Sequence, residues 1–319
     1  MKLAFTFPGQ GSQTVGMGKD FYDNFAVSKQ VFEEVDNTLN QKLSTLIFEG
    51  DQDKLTLTEN TQPALMAVSM AIIRALENEL GVKAASLTAF MAGHSLGEYT
   101  ANCAAGTFSL ADTARLLRIR GSAMQKAVPV GQGAMAAILN MPIEAVEILA
   151  SDAAQGQVCV IANDNSEGQV VISGHTKAID RAIPLALERG AKHALSLPVS
   201  APFHSPLMEP AAAAMAEALD LVNSQSPLCP ILTNVTASLV YDDEILKRFL
   251  VDQVTGRVRW RESMTGLPLH DITHCIEIGA GKVLTGLVKK SAPSVEASTI
   301  NTIDDMKNFI DTLGTKLVA

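Results

Sequence analysis

The chain has 319 residues, 47% of them hydrophobic and 18% charged, with a formal net charge of −9. A chain of that length and composition buries a large core, in one big domain with an insertion or in two domains, and is not a disordered polymer. Its acidic balance excludes broad, non-specific attraction to nucleic acid or to an anionic membrane, and leaves room only for a local basic patch. Cys103, Cys159, Cys229 and Cys275 stand far apart with no C-x-x-C pair, which argues against a zinc or redox motif and reads as buried free thiols of a reducing compartment. The first residues carry one lysine and a five-residue apolar run, too short for a secretory core segment. A cytoplasmic location is therefore expected.

In chain order, "LAFTF" (3–7) reads as a buried strand and runs into "FPGQGSQTVGMG" (7–18). That glycine-rich turn imitates a dinucleotide fingerprint, but Thr14 stands where a third glycine is needed. The apolar stretch "ALMAVSMAII" (64–73) is half the length of a membrane span and reads as a buried helix. "SLTAFMA" (86–92) reads as a second strand, followed at once by "GHSLGEYT". Gly93-x-Ser95-x-Gly97 between a strand and a helix is the context of a nucleophile elbow, where the glycines permit the sharp turn and the helix N-terminus favours developing negative charge. Ser95 is the candidate nucleophile, and the backbone N–H of Leu96 falls where an oxyanion donor belongs. His94 beside it reads as structural.

"SLADTARLLRIRGSAMQKAV" (109–128) opens with a capping box, Ser109 and Asp112. Wound at ~100° per residue, Arg115, Arg118, Ser122 and Lys126 share a polar face. Arg120 falls on the other side, among Leu116, Leu117 and Met124. A guanidinium there needs an anion. An internal carboxylate is the commoner solution; the carboxylate of a bound molecule is the other.

Residues 133–199 read strand, helix, strand, strand, helix, strand, the βαββαβ order of a ferredoxin-like unit, with a kink expected at Pro184. The expected organisation is an α/β body with a parallel sheet, residues 1–130 and 200–319, carrying an inserted subdomain over 131–199. Further strands are expected at "PILTNV" (230–235), "HCIEIG" (274–279) and "ASTIN" (297–301). "GAGKV" (279–283) imitates a phosphate loop without its earlier glycine or its following Ser or Thr. A base for Ser95 is sought among six histidines. His204, in the Pro-rich loop "LPVSAPFHSPLMEP" (197–210), competes with His270 and His274, which lie where an ordinary α/β-hydrolase places its base.

Taken in order, "FPGQGSQTVGMG", "GHSLGEYTA", Arg120, "GQVVISG", "SAPFHSPLM" and "IEIGAGKVLTGL" closely resemble the malonyl-CoA:acyl carrier protein transacylases over nearly the whole chain. The resemblance implies an α/β-hydrolase-like body with a ferredoxin-like subdomain. It implies Ser95 as nucleophile, His204 as base, and the main-chain carbonyl of Gln253 as the group that orients His204. It places Gln10 beside Leu96 as the second oxyanion donor, Arg120 on the malonyl carboxylate, and Phe203 where an aromatic narrows the acyl pocket. It implies malonyl-CoA and the phosphopantetheine arm of acyl carrier protein as partners, fatty acid biosynthesis as the setting, and no cofactor or metal. The other readings are an esterase or thioesterase, and a polyketide-pathway acyltransferase. Docking of an acidic carrier to an acidic protein calls for a basic patch, for which Arg257, Arg259, Arg261, Lys282, Lys289 and Lys290 are candidates.

Overall fold

The computed structural model describes residues 1–199 and 201–317, with side chains described as far as residue 314. Ten strands are formed: β1 Leu3–Phe7, β2 Phe90–Gly93, β3 Gly133–Leu139, β4 Cys159–Ser166, β5 Gln169–His175, β6 His193–Ser196, β7 Ile231–Leu232, β8 Leu239–Val240, β9 His274–Ile278 and β10 Glu296–Ile300. The α-helices are α1 Lys19–Asn24, α2 Ala26–Leu39, α3 Leu43–Glu49, α4 Gln52–Thr56, α5 Thr58–Leu80, α6 Leu96–Ala104, α7 Leu110–Lys126, α8 Ile143–Ala154, α9 Thr176–Glu188, α10 Glu209–Asp220, α11 Asp243–Thr255, α12 Trp260–Thr265, α13 Val283–Ser291 and α14 Ile303–Leu317.

The strands form two sheets. One has the order β10-β9-β1-β2-β7-β8 and is parallel except for the β7–β8 pair. Every residue of β1 and β2 is buried, because helices cover both faces of a parallel sheet. One core, centred on α2, α5, α6 and α7, holds Phe5, Phe7, Leu65, Ile72 and Leu117; another, on α12 and α13, holds Phe90, Trp260, Leu267 and Val288. The stretch 64–73 is fully buried within α5. Among the described residues no helix is long and apolar enough to cross a membrane.

The second sheet, β4-β5-β3-β6, is antiparallel throughout. Its elements follow the expected order strand, helix, strand, strand, helix, strand. Its buried apolar cluster comes entirely from residues 136–194, so this segment carries a core of its own. The helix α9 runs unbroken through Pro184.

Two strand limits are corrected, and the reading of the 279–283 loop as a phosphate-loop imitation agrees with the structure. The strand anticipated from Ser86 begins only at Phe90, because Ala84–Ser86 close a 3-10 turn first. The strand anticipated at 230–235 is two residues long and turns back as β8. The loop at 279–283 is packing rather than a phosphate cradle. Gly279 takes φ +143°, and a Cβ there would meet Pro8 and Ser69, while Gly281 sits beside Ser12. Buried Glu277 accepts from the backbone N–H groups of Leu284 and Thr285, so the anion at the start of α13 is the protein's own carboxylate.

Candidate active site

The C-terminal ends of β1, β2 and β7 converge, which is where open α/β sheets place their sites. Ser95 follows β2 directly and adopts φ +54°. This backbone is rarely open to a side chain and is stored strain on the order of 1–3 kcal/mol. The turn needs its glycines. A Cβ on Gly93 would strike the backbone of Gly97 and Glu98, and one on Gly97 would strike the carbonyls of Phe7 and Pro8. Asn234, just past β7, clamps the turn: its Oδ1 accepts from Ser95 N–H at 2.8 Å and its Nδ2 donates to the Gly93 carbonyl at 2.8 Å.

His204 arrives on the loop before α10, with φ +55° and 3% exposure. Ser200, which opens "SAPFHSPLM", lies outside the described residues. The Nδ1 of His204 is 2.8 Å from the main-chain oxygen of Gln253, and its Nε2 is 2.8 Å from Ser95 Oγ. A carbonyl oxygen only accepts, so Nδ1 carries the ring proton and Nε2 offers a lone pair to the serine hydroxyl. Burial, reinforced by the Arg120 charge, pushes the ring down to about 3 against the pull of the Gln253 carbonyl. The imidazole is therefore neutral and ready to accept a proton.

Arg120 is 1% exposed, on the inner face of α7. Its Nη1 donates to Gln62 Oε1 at 2.9 Å, and its Nη2 donates to Gln253 Oε1 at 2.8 Å and to Ser95 Oγ at 3.1 Å. Its Nε has no acceptor, and no carboxylate among the described residues forms an ion pair with it. The guanidinium lies over the Tyr99 ring, 5.5 Å from the centroid. No carboxylate pairs directly with Arg120: buried Glu98 acts on it at a distance and through the Gln253 amide, so a buried cation sits beside Ser95 with only neutral hydrogen-bond partners.

These residues line a cavity of about 120 Å³ together with Gln10, Leu96, Phe203, Met124, Met135 and Asn163. Gly9 sets Gln10 close to the elbow, since a Cβ at position 9 would lie 2.7 Å from the His94 carbonyl oxygen. His94 is structural as expected: its Nε2 is 2.8 Å from Asn165 Oδ1, and its ring meets Trp260 edge-on.

The rival histidines are elsewhere. His274 pairs in register with Leu3 at the N-terminal edge of the parallel sheet and lies 3.0 Å from Glu296. His270 packs on Phe90, the first residue of β2. Both stand at the edge opposite Ser95. The expected arginine patch is also corrected: Arg257, Arg259 and Arg261 are paired with Glu147, Glu262 and Asp164. Lys282, Lys289 and Lys290 remain exposed along α13, and Lys290 donates to Gln169. The four cysteines are buried and free, and burial raises each thiol, to about 11 for Cys103 and Cys159 and about 12 for Cys229 and Cys275.

Sequence reasoning missed Gln62, Glu98, Asn165 and Asn234. Glu98 alone left a signal. It is the only residue among Asp, Glu, Lys and Arg between Lys83 and Asp112, and it is wholly buried in α6.

Fold and site together define an acyl transferase, and the family model described as the acyl transferase domain matches residues 4–313. The chain belongs to the malonyl CoA-acyl carrier protein transacylases within that family. It is 44% identical over 313 residues to the malonyl CoA-acyl carrier protein transacylase of Bacillus subtilis, covering 98% of this chain and 97% of that one. The crystal structure of an acyl-carrier-protein S-malonyltransferase from Bartonella henselae superimposes with a TM-score of 0.96 at 53% identity, covering 98% of this chain and 100% of that chain. A type II PKS acyl-carrier protein in complex with its malonyl-transacylase matches with a TM-score of 0.94 at 38% identity, covering 98% of this chain and 100% of that one.

Proposed function

We propose that this enzyme moves a malonyl group from malonyl-CoA to the phosphopantetheine thiol of acyl carrier protein through a malonyl-Ser95 intermediate. In this reading His204 Nε2 takes the Ser95 proton as Oγ attacks the thioester carbon. The backbone N–H groups of Gln10 and Leu96 receive the oxyanion, each contributing on the order of 3 kcal/mol. Coenzyme A leaves with the proton from His204. The carrier thiol then gives its proton to the same ring and attacks the acyl-serine, and the departing Ser95 Oγ takes that proton back from His204. The carbonyl of Gln253 holds the imidazolium that forms in each half-reaction.

The observation that carries the malonyl assignment is Arg120. A buried guanidinium 3.1 Å from Ser95 Oγ, hydrogen-bonded only by neutral groups, suits the acid end of the acyl group. An acyl chain lacking that carboxylate leaves the charge unpaired, and such a mismatch discriminates by up to ~10⁴-fold where pocket shape gives ~10². Phe203 narrows the acyl side of the cavity. We assign the catalytic body, α/β-hydrolase-like in kind, to residues 1–130 and 200–319, and a ferredoxin-like domain to 131–199. The separate apolar core of the second sheet supports that division. Lys290, bonded to Gln169, stands beside a groove running from Gln10 and His94 to Val283 and Leu287, which suits an acidic carrier. Four buried, unpaired thiols suit a reducing cytoplasm.

The test is mass spectrometry of the protein after mixing with malonyl-CoA. The expected result is a malonyl adduct on Ser95 that carrier-protein thiol discharges; no adduct, or an adduct on another residue, removes the assignment. In the Arg120→Ala variant malonylation of Ser95 slows sharply, and the acetyl-to-malonyl rate ratio rises by about 10²-fold or more.

A further inference from the structure

Glu98 contacts neither the nucleophile's hydroxyl nor the imidazole, yet it is wholly buried directly behind them. Its Oε2 accepts from Gln253 Nε2 at 2.6 Å and from the backbone N–H of Asn234 at 3.2 Å. The same Gln253 amide nitrogen donates to the Ser95 carbonyl at 3.0 Å, and the amide oxygen accepts from Arg120 Nη2 at 2.8 Å. An acceptor on one side and a guanidinium on the other leave the Gln253 amide only one orientation. Its oxygen must face Arg120 and its nitrogen must face Glu98.

We infer that Glu98 and the Gln253 side chain form a positioning pair that aims the Arg120 guanidinium at the acyl group's carboxylate, so that selectivity for a carboxylated acyl chain is set partly from behind the nucleophile. This rests on the reading of Arg120 given above. Gln253 then serves twice: its main-chain carbonyl orients the base, and its side chain orients the cation that selects the substrate. Glu98 is the anchor that couples the two, because it also holds Asn234, which clamps the Ser95 turn.

The required property of Glu98 is its acceptor oxygen, not its charge. Burial raises the carboxyl to about 7, and its Oε1 has no partner. A proton on Oε1 leaves Oε2 accepting from the same two donors. A glutamine presents an equivalent carbonyl oxygen, whereas an alanine presents none.

The experiment compares rates of Ser95 acylation by malonyl-CoA and acetyl-CoA in the wild type, Glu98→Gln, Glu98→Ala, Arg120→Ala and the Glu98→Ala/Arg120→Ala double variant. Misaiming a clamp by a fraction of an ångström is expected to lower the malonyl-to-acetyl ratio about tenfold in Glu98→Ala, with Glu98→Gln within about threefold of wild type. In the Arg120→Ala background Glu98→Ala leaves the ratio unchanged, because there is nothing left to aim. Should Glu98→Ala fail to fold, Gln253→Leu carries the same test, since it keeps the main-chain carbonyl and removes the amide. An equal fall for both substrates, or an equal shift of the ratio without Arg120, overturns the inference and leaves Glu98 a structural residue. An unchanged ratio in Arg120→Ala itself overturns instead the carboxylate reading on which the inference stands.

Discussion

At the scale of single residues the site depends on one electrostatic conflict. In the proposed mechanism His204 accepts a proton, yet it is buried beside a cation that opposes the imidazolium. Its ring is neutral across the physiological range, so no proton has to leave before catalysis begins. In the proposed mechanism a carboxylate seated on Arg120 would cancel part of the charge that depresses the ring, so the matching substrate would strengthen the base as it arrives. Nuclear magnetic resonance of the His204 ring is expected to show the neutral Nδ1–H tautomer down to about pH 4 in the free enzyme. The apparent pKa is expected to rise in Arg120→Ala. A midpoint near that of an exposed imidazole, or one indifferent to Arg120, contradicts this account. The same shift has a stability consequence. The folded ring binds its proton at a lower pH than the unfolded one, so acidification from about 6.5 towards 3 takes stability away.

At the scale of elements the site is made of close backbone approaches. The "PGQGS" loop after β1 lies against the elbow because Gly9 and Gly97 have no Cβ to hold the two turns apart. Gly9→Ala is expected to push Gln10 outward, because the added Cβ would crowd the His94 carbonyl. The proposed oxyanion donor is then lost and kcat falls about 10²-fold with KM little changed; a fall in KM-dependent rate alone argues that Gln10 binds substrate instead. Much of this was legible in the sequence. The glycine spacing around Ser95, the proline-rich loop bearing His204 and the lone cation on the apolar side of 109–128 are local patterns. The choice of His204 over His274 was not local. It became physical only when β9 was seen to run parallel to β1, which carries position 274 to the far edge of the sheet. Glu98, Gln62 and Asn234 stayed hidden for a similar reason: their partners lie 155, 58 and 139 residues away in the chain, and polar residue types at such separations leave no period. Strand limits were misread where an apolar run turned out to be partly turn, as at 84–89.

At the scale of the whole molecule, the question is what fixes the antiparallel sheet to the parallel one. Strand β4 is the seam. Asn163 lines the cavity and Asn165 holds His94, while the main chain of Ala162 and Asp164 pairs with Val258 just after α11, the helix that carries Gln253. Between the two asparagines, the wholly buried Asp164 receives both bonds from Arg261 Nε on α12, at 2.9 and 3.0 Å. Burial outweighs this pairing and raises the Asp164 carboxyl, so Arg261 is what allows it to remain ionised. Removing the arginine strands a buried carboxylate, which costs about 3 kcal/mol while the group stays charged. Protonation relieves that cost. The sign follows from proton counting: with its folded pKa raised, Asp164 binds more protons folded than unfolded, so stability falls as pH rises through that window. The Tm of Arg261→Ala is therefore expected to fall by several degrees relative to wild type at neutral pH, and that deficit is expected to shrink as the pH is lowered and the carboxyl takes up a proton. A deficit that does not change with pH means that Asp164 keeps its charge without Arg261.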